Sequence, residues 1–240
     1  MSDLNTETAT DQSKSERVYQ ILRRRIREME LPPGARLPKN EIALELGVSR
    51  APVSEAISRL ADEGLVDVFP QNGSFVSPIR TADIRESLMI RTGLEVEVAR
   101  RVTRDVNPEL LTLLERNLAE QAQALKDNDM VRLDALDESF HATITSFVDS
   151  TRIQRFLDES RALLDRPRFH SLPEHGRSND TLAEHSRIVD AIRTGDVELA
   201  GAAMRVHLGM VTSAIERELI QLEGDNNDNP DSQSEQPSDK

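Results

Sequence analysis

A mainly helical fold, with an N-terminal winged helix-turn-helix followed by an antiparallel six-helix bundle, is what this sequence predicts on three observations. Aromatic residues are 3% of the 240, with no Trp and one Tyr, so cores must be built from Leu, Ile, Val, Ala and Met. That favours helices over a β-sandwich. A tight Gly47-Val48-Ser49 turn separates two short helical stretches, and a β-like pair follows them. Beyond residue 80, long amphipathic stretches recur with hardly a strand signal.

Composition narrows the function classes. With no Cys, the chain has no disulfides, thiolate metal ligands or cysteine nucleophiles. No apolar run approaches the roughly 18–20 residues that span a bilayer. The opening MSDLNTETATDQSKSE lacks the apolar core of a secretory signal. The expectation is a soluble, cytoplasmic protein without a membrane partner. A net charge of −13 argues against nucleic acid until its distribution is read: residues 14–80 carry +2 and residues 81–222 carry −7. A mildly basic third on an acidic chain still suits DNA.

Taken in order, residues 1–13 are polar and expected to be a disordered tail. About Ser15–Glu30, Val18, Ile21, Leu22 and Ile26 make one helical stripe, stopped by Leu31-Pro32-Pro33-Gly34. A short helix fits Asn40–Leu46, ended by Gly47. Ser49 is a suitable N-cap for a third helix reaching about Glu63, with Val53, Ile57 and Leu60 inward. Strands Val66–Pro70 and Ser74–Ser77 then flank Gln71-Asn72-Gly73, where Asn-Gly signals a hairpin. These elements make a domain over 14–77, with a linker at 78–81. Six helices follow, at about 81–104, 108–127, 129–147, 150–166, 178–194 and 196–222, with a loop at Pro167–Arg177. They make a second domain over 82–222. Residues 223–240, acidic and without large apolar side chains after Glu223, are expected to be disordered.

The N-terminal pattern carries DNA-reading chemistry. A helix beginning after Ser49 points free N–H groups and its positive dipole end toward phosphate. Arg50, in the first turn, stands where recognition helices present side chains to base edges, and an arginine there can contact guanine O6 and N7 together. Gly73 lets the wing turn sharply at the sugar-phosphate backbone. Arg24, Arg36 and Arg59 complete the candidate DNA contacts, with Ser49 and Ser54 beside Arg50. Taken alone, the Arg23–Arg27 run reads more readily as a solvated face.

Leu31, Pro33, Gly34 and Leu37, then Leu46-Gly47-Val48-Ser49-Arg50-Ala51-Pro52-Val53-Ser54-Glu55-Ala56-Ile57, then Glu63-Gly64-Leu65-Val66 and Gly73-Ser74-Phe75-Val76 form one continuous signature. It resembles that of the GntR family of bacterial transcription regulators. The resemblance implies a dimer that reads a short inverted repeat in double-stranded DNA. Ser54 departs from the pattern, because the family usually has a second base-reading arginine there. A hydroxyl makes no bidentate guanine contact, so operator preference at that base should shift or relax.

The helical remainder carries all five histidines. Asp137 and His141 are i, i+4 on one helix, with His185 and His207 on the next-but-one and the last. Spacing alone leaves this open, since a lone helical histidine is commonly a surface or satisfied core residue. The segment also resembles the FCD effector domain of FadR-type GntR regulators, in its shorter, VanR-like form. The matching residues are Arg91, Leu94 and Glu95; Asp137 and His141; Glu184, His185, Ile188, Ala191, Ile192, Gly195 and Asp196; then His207-Leu208. The resemblance implies that Asp137, His141, His185 and His207 hold a divalent metal ion. Zn is favoured, with Ni and Mn also suited to carboxylate and imidazole ligands.

One Asp and three neutral His leave such an ion with net +1 and one or two positions for water, which a small organic acid would displace. Arg91 either adds a charge-assisted bond to that acid or pairs with Glu95 one turn on. His170 and His175, in the Pro173-containing loop, match no ligand position. The resulting reading is a ligand-responsive, homodimeric DNA-binding regulator, by default a repressor. A metal-dependent hydrolase and a sensor of the metal itself are the two alternatives. No dedicated general base accompanies the ligands, which weighs against an enzyme.

Overall fold

The computed structural model describes residues 3–171 and 178–228. Its described residues form two compact units: 3–90 with 155–170, and 91–154 with 171 and 178–228. Ala162 of the later helical stretch is buried in the core of the first unit, and Leu163 packs against it.

In that first unit, helices α1 (Asp3–Arg27), α2 (Lys39–Leu46) and α3 (Arg50–Asp62) precede a two-stranded antiparallel ribbon of β1 (Val66–Phe69) and β2 (Gly73–Val76). Val18, Leu22 and Ile26 of α1 meet Val53, Ile57 and Leu60 of α3, all at most 1% exposed. Leu65, Val66 and Val76 close the core from the ribbon. Burying side chains of this size stabilises by about 1.5–3 kcal/mol each.

Three local features differ from expectation. The expected N-terminal tail is helical from Asp3, because α1 meets neither Pro nor Gly before its end and a formed helix extends at little cost. The ribbon pairs Phe69 with Gly73, so the turn is Pro70-Gln71 rather than Asn72-Gly73. Asn72 N–H donates to Phe69 O at 3.2 Å, and Gln71 has φ +68°. Pro at the first central position, the one that proline's fixed negative φ suits, with a positive φ at the second is a type II turn. Ser49 holds the N-cap position of α3 with an extended backbone, but its side chain makes no capping bond.

The second unit is a helical bundle. α5 (Pro108–Lys126), α6 (Met130–Ser146), α8 (Ser178–Thr194) and α9 (Val197–Asp228) belong to it, with the later part of α4 (Thr81–Arg104) and the start of α7 (Thr151–Ser171). Asn107 and Asp129 cap α5 and α6 by accepting from Glu109 and Arg132 N–H groups. Leu110, Leu114, Phe140, Ile144, Ile188 and Ile192 fill the core. Helix α7 runs through Pro167 to Ser171, so the expected loop begins later and His170 stands on helical backbone. His175 lies outside the described residues. At the C-terminus α9 continues to Asp228, into the stretch expected to be disordered, and residues 229–240 of that stretch lie outside the description. Among the described residues, no helix is long and apolar enough to cross a membrane.

The turn before α3 depends on Gly47, which caps α2 with φ +65° and ψ +36° and donates to Ala43 O and Leu44 O. A Cβ there would touch nothing within 4 Å, so only the backbone penalty remains on substitution. Gly47→Ala should therefore destabilise the N-terminal unit by about 1–2 kcal/mol, and Gly47→Asn by less. Denaturant unfolding of the two variants checks the order; equal losses would place the cost in packing instead.

Candidate metal centre and nucleic-acid interface

The bundle core is not purely apolar. Asp137 and His141 on α6, His185 on α8 and His207 on α9 are buried, and each offers a ligand atom within 4.8 Å of the others. His141 Nε2 lies 3.1 Å from His207 Nε2, and His185 Nε2 lies 3.5 Å from Asp137 Oδ1. Phe140 stacks on the His185 ring at 4.0 Å between centroids and 12° between planes, which holds that imidazole's tilt.

Each histidine has an oxygen at its outer nitrogen. His207 Nδ1 is 2.8 Å from Glu184 Oε2, and His141 Nδ1 is 2.5 Å from Glu95 Oε2. His185 Nδ1 is 3.0 Å from Gln121 Oε1. Gln121 in turn donates its amide to Asn117 Oδ1, and Asn117 donates to Leu136 O, so the Gln121 oxygen faces the imidazole as an acceptor. These oxygens favour protonation at the three Nδ1 atoms, which leaves three Nε2 lone pairs pointing inward. Lone pairs 3.1 Å apart repel in a dry interior, and His185 Nε2 is buried without a hydrogen-bond partner. A cation between them removes both penalties. With their carboxylates ionised, Asp137, Glu95 and Glu184 against Arg91 sum to −2, which a divalent ion neutralises. The residues present fit a divalent metal.

Burial acts in the same direction on protonation. It pushes the His141 imidazole down to about 4 from an ordinary 6.5, with Arg91 adding to the depression against the pull of Glu95 and Asp137. His185 is driven well below the ordinary value, again by burial first, opposed by Asp137 and helped by the other two histidines. Neutral imidazole is the metal-ligating form.

Arg91 is 2% exposed and donates Nε–H to Glu95 Oε1 at 2.8 Å. Of its two expected roles, this is the Glu95 pairing. The sequence reading assigned no role to Gln121, Asn117 or Phe140. Two amides spaced i, i+4 on the otherwise apolar inward face of α5 were the available signal for the first two.

In the N-terminal unit, Arg50 is exposed in the first turn of α3, and Ser54 is half-buried one turn on. Arg36, Arg50 and Gly73 line one cleft of about 530 Å³ between the ribbon tip and the start of α2. Gly73 has φ +112°, and a Cβ there would sit 3.6 Å from Arg36 Nε. Arg24 and Arg59 are placed differently. Arg24 pairs with Glu28 and Glu30 at 2.5 and 3.2 Å. Arg59 stacks 3.6 Å over the Tyr19 ring and pairs with Glu16 at 2.6 Å. Their charges are already engaged within the fold.

Residues 14–76 match the gntR family of bacterial regulatory proteins, and residues 86–210 match the FCD domain. The chain belongs to the GntR family and carries an FCD domain. It is similar to an HTH-type transcriptional regulator in an unstable DNA locus of Streptomyces ambofaciens, 37% identical over 83% of this chain and 84% of that protein. It is also similar to the HTH-type transcriptional repressor RspR of Escherichia coli K12, 30% identical over 92% of this chain and 97% of the other. Among solved structures, a GntR transcriptional regulator from Rhodococcus sp. RHA1 aligns with TM-score 0.68 and 26% identity, over 85% of this chain and 97% of that one. E. coli McbR/YncC shares the fold at TM-score 0.75 and 20% identity, over 86% and 98% of the two chains. The Streptomyces, E. coli K12 and Rhodococcus proteins are named transcription regulators rather than enzymes, and GntR regulators act by binding DNA.

For the FCD centre, two outcomes follow. Elemental analysis should find about one divalent ion per chain in the unaltered protein and none in His207→Ala or His185→Ala. In chelator-stripped protein, the unfolded chain takes up protons at His141 and His185 from about pH 6.5, whereas the folded state holds His141 neutral to about pH 4 and His185 neutral by burial. Stability should therefore fall as pH falls across that window, by up to about 1.4 kcal/mol per pH unit for each imidazole. Unfolding midpoints measured from pH 7.5 to 4.5 test this; stability rising with acidity would refute buried neutral histidines.

Proposed function

We propose that this GntR regulator is a cytoplasmic repressor that binds an inverted-repeat operator as a homodimer and answers to a small organic acid bound at a metal centre in its FCD domain. The observation that carries the ligand-responsive half is the convergence of Asp137, His141, His185 and His207, each imidazole also facing an outer oxygen. Three imidazoles and a carboxylate suit Zn, with Ni and Mn as alternatives. When bound, such an ion supplies a positive position at which a carboxylate replaces water. The protein's share is to hold four ligands still: Gln121, Glu95 and Glu184 orient the rings, and Phe140 limits the tilt of His185.

Complete burial of the ligands favours an ion held permanently over one that comes and goes as the signal. The repressing sign is supported by the name of the E. coli relative and by simple occlusion of promoter DNA. Dimerisation accords with reading an inverted repeat, one α3 to each half-site. Arg50 reads a base and Ser49 approaches phosphate, while Ser54 makes a shorter contact than an arginine would. The wing at Gly73 meets the backbone. Arg24 and Arg59 serve as peripheral phosphate contacts after exchanging their present carboxylate partners. Arg91 steadies Glu95 and offers its remaining donors toward the effector side.

Operator affinity is the measurement for both halves. Arg50→Ala should lose roughly 1–3 kcal/mol of specific binding, and Ser54→Arg should change the selected consensus at one base per half-site. An identical consensus for wild type and Ser54→Arg would remove residue 54 from base reading. In a titration against a panel of small carboxylic acids, one acid should weaken operator binding by the wild type and have no effect on His207→Ala. A wild-type protein that takes up no divalent ion on reconstitution would defeat the effector-site reading and leave DNA binding untouched.

A further inference from the structure

The Asn72-Gly73 pair is the one feature of the ribbon that its turn geometry leaves unexplained. Asn-Gly ordinarily fills both central positions of a tight hairpin turn. Here those positions belong to Pro70 and Gln71, and Gly73 opens β2 opposite Phe69. Gly73 has its own reason to be glycine, a φ of +112°. Asn72 has none. It lies between the two strands in an exposed run from Val68 to Asn72, and its side-chain amide makes no hydrogen bond among the described residues.

That amide is reactive as well as free to move. Asn72 is the one asparagine in the chain followed by glycine. Without a Cβ on residue 73, the Gly73 peptide nitrogen can close on the Asn72 side-chain carbonyl carbon. The Arg36 guanidinium lies against this peptide: a Cβ on Gly73 would sit 3.6 Å from its Nε and 3.8 Å from its Nη2. A positive charge there favours the deprotonated, attacking form of the peptide nitrogen and the oxyanion that follows. Other asparagines lack one part or another of this arrangement. Asn40 and Asn128 are exposed but precede Glu41 and Asp129, whose side chains hinder the approach. Asn107 precedes a proline and accepts from Glu109 N–H, and Asn117 is buried and donates to Leu136 O.

We infer that Asn72 is a site of spontaneous deamidation, which puts a negative charge at the tip of the wing and weakens operator binding as the protein ages. The bond from Gly73 N to Asn72 Cγ forms as the bond from Cγ to the amide nitrogen breaks, and ammonia leaves with the proton that Gly73 N gives up. Water then opens the cyclic imide at either carbonyl. Opening at the side-chain carbonyl gives aspartate, and opening at the backbone carbonyl gives isoaspartate. Neither step is a redox step: one water is consumed, one ammonia is released and one carboxylate is gained. That carboxylate stands beside Arg36, which forms no ion pair among the described residues, and cancels its charge. In the isoaspartate product the main chain is one methylene longer just before the Phe69–Gly73 pair. The buried Val66–Val76 pair at the other end of the ribbon keeps the fold. The effect on DNA rests on the proposed contact of the wing with the backbone.

The test ages the full chain in warm, mildly alkaline buffer and follows the mass of its tryptic peptides and its operator affinity across salt. Peptide 60–80 should gain the mass of an NH2-to-OH exchange and become a substrate for an isoaspartate-specific methyltransferase, well ahead of peptide 127–132 with Asn128. Asn72→Gln should block the change and bind operator as fresh wild type does. Arg36→Gln should slow the change severalfold. Asn72→Asp should reproduce the aged state, with about three- to tenfold weaker operator binding and a slope of log K against log salt lower by about 0.9. A peptide 60–80 that keeps its mass, or that changes no faster than peptide 127–132, overturns the deamidation site. Complete conversion with full operator affinity, matched by full affinity in Asn72→Asp, leaves the chemistry standing and overturns the wing reading on which its effect rests.

Discussion

Three imidazole nitrogens and one carboxylate converge inside a helical bundle, and the rest of that unit is arranged around the cost of this convergence. The four ligand residues come from α6, α8 and α9, while α4 and α5 contribute Glu95 and Gln121 behind two of the rings. A polar cluster in such a place is destabilising unless every member is satisfied. The outer nitrogens face oxygens, and the inner ones face each other. A cation at their centre turns mutual repulsion into the bond that ties three helices together.

The N-terminal unit solves a different electrostatic problem. A regulator with net charge −13 must still approach a polyanion. Arg24, Arg25, Arg59 and Arg80 are paired with carboxylates of the same unit, which limits non-specific attraction along DNA. The unpaired Arg36, Lys39 and Arg50 are gathered where the ribbon tip, the start of α2 and the start of α3 meet. Positive charge is concentrated at that edge of the unit instead of being spread over the surface. This accounts for DNA binding by a chain whose overall composition argues against it.

Much of this was legible in the residues. Of the expected stripe Val18, Ile21, Leu22 and Ile26, all but the partly exposed Ile21 are fully buried in α1, and the helix bounds for α4, α5, α6 and α8 fall within a residue of their expected places. The four ligand positions were found through the family resemblance, and the structure brings them together. Three local expectations failed for identifiable reasons. Proline at residue 70 moved the turn toward itself, because its fixed φ suits the first central position of a type II turn. Helix α7 carried past Pro167, since a helix already packed tolerates the loss of one backbone bond. The N-terminal segment is helical because local polarity signals solvation and does not forbid helix.

Periodicity, turn residues and the GntR and FCD signatures by themselves determined the helical class, the winged helix-turn-helix and which four Asp and His residues converge in the bundle, because these depend on short-range backbone preference and on motif. Tertiary structure alone decided which charges are spent and which are free. That Arg59 lies on Tyr19 and Arg36 does not pair, that Gln121 backs His185, and that Arg91 faces Glu95 all depend on distances between segments far apart in the chain. Sequence spacing has no access to those distances, because a side chain's partner is set by the packing of whole helices and not by its neighbours along the backbone.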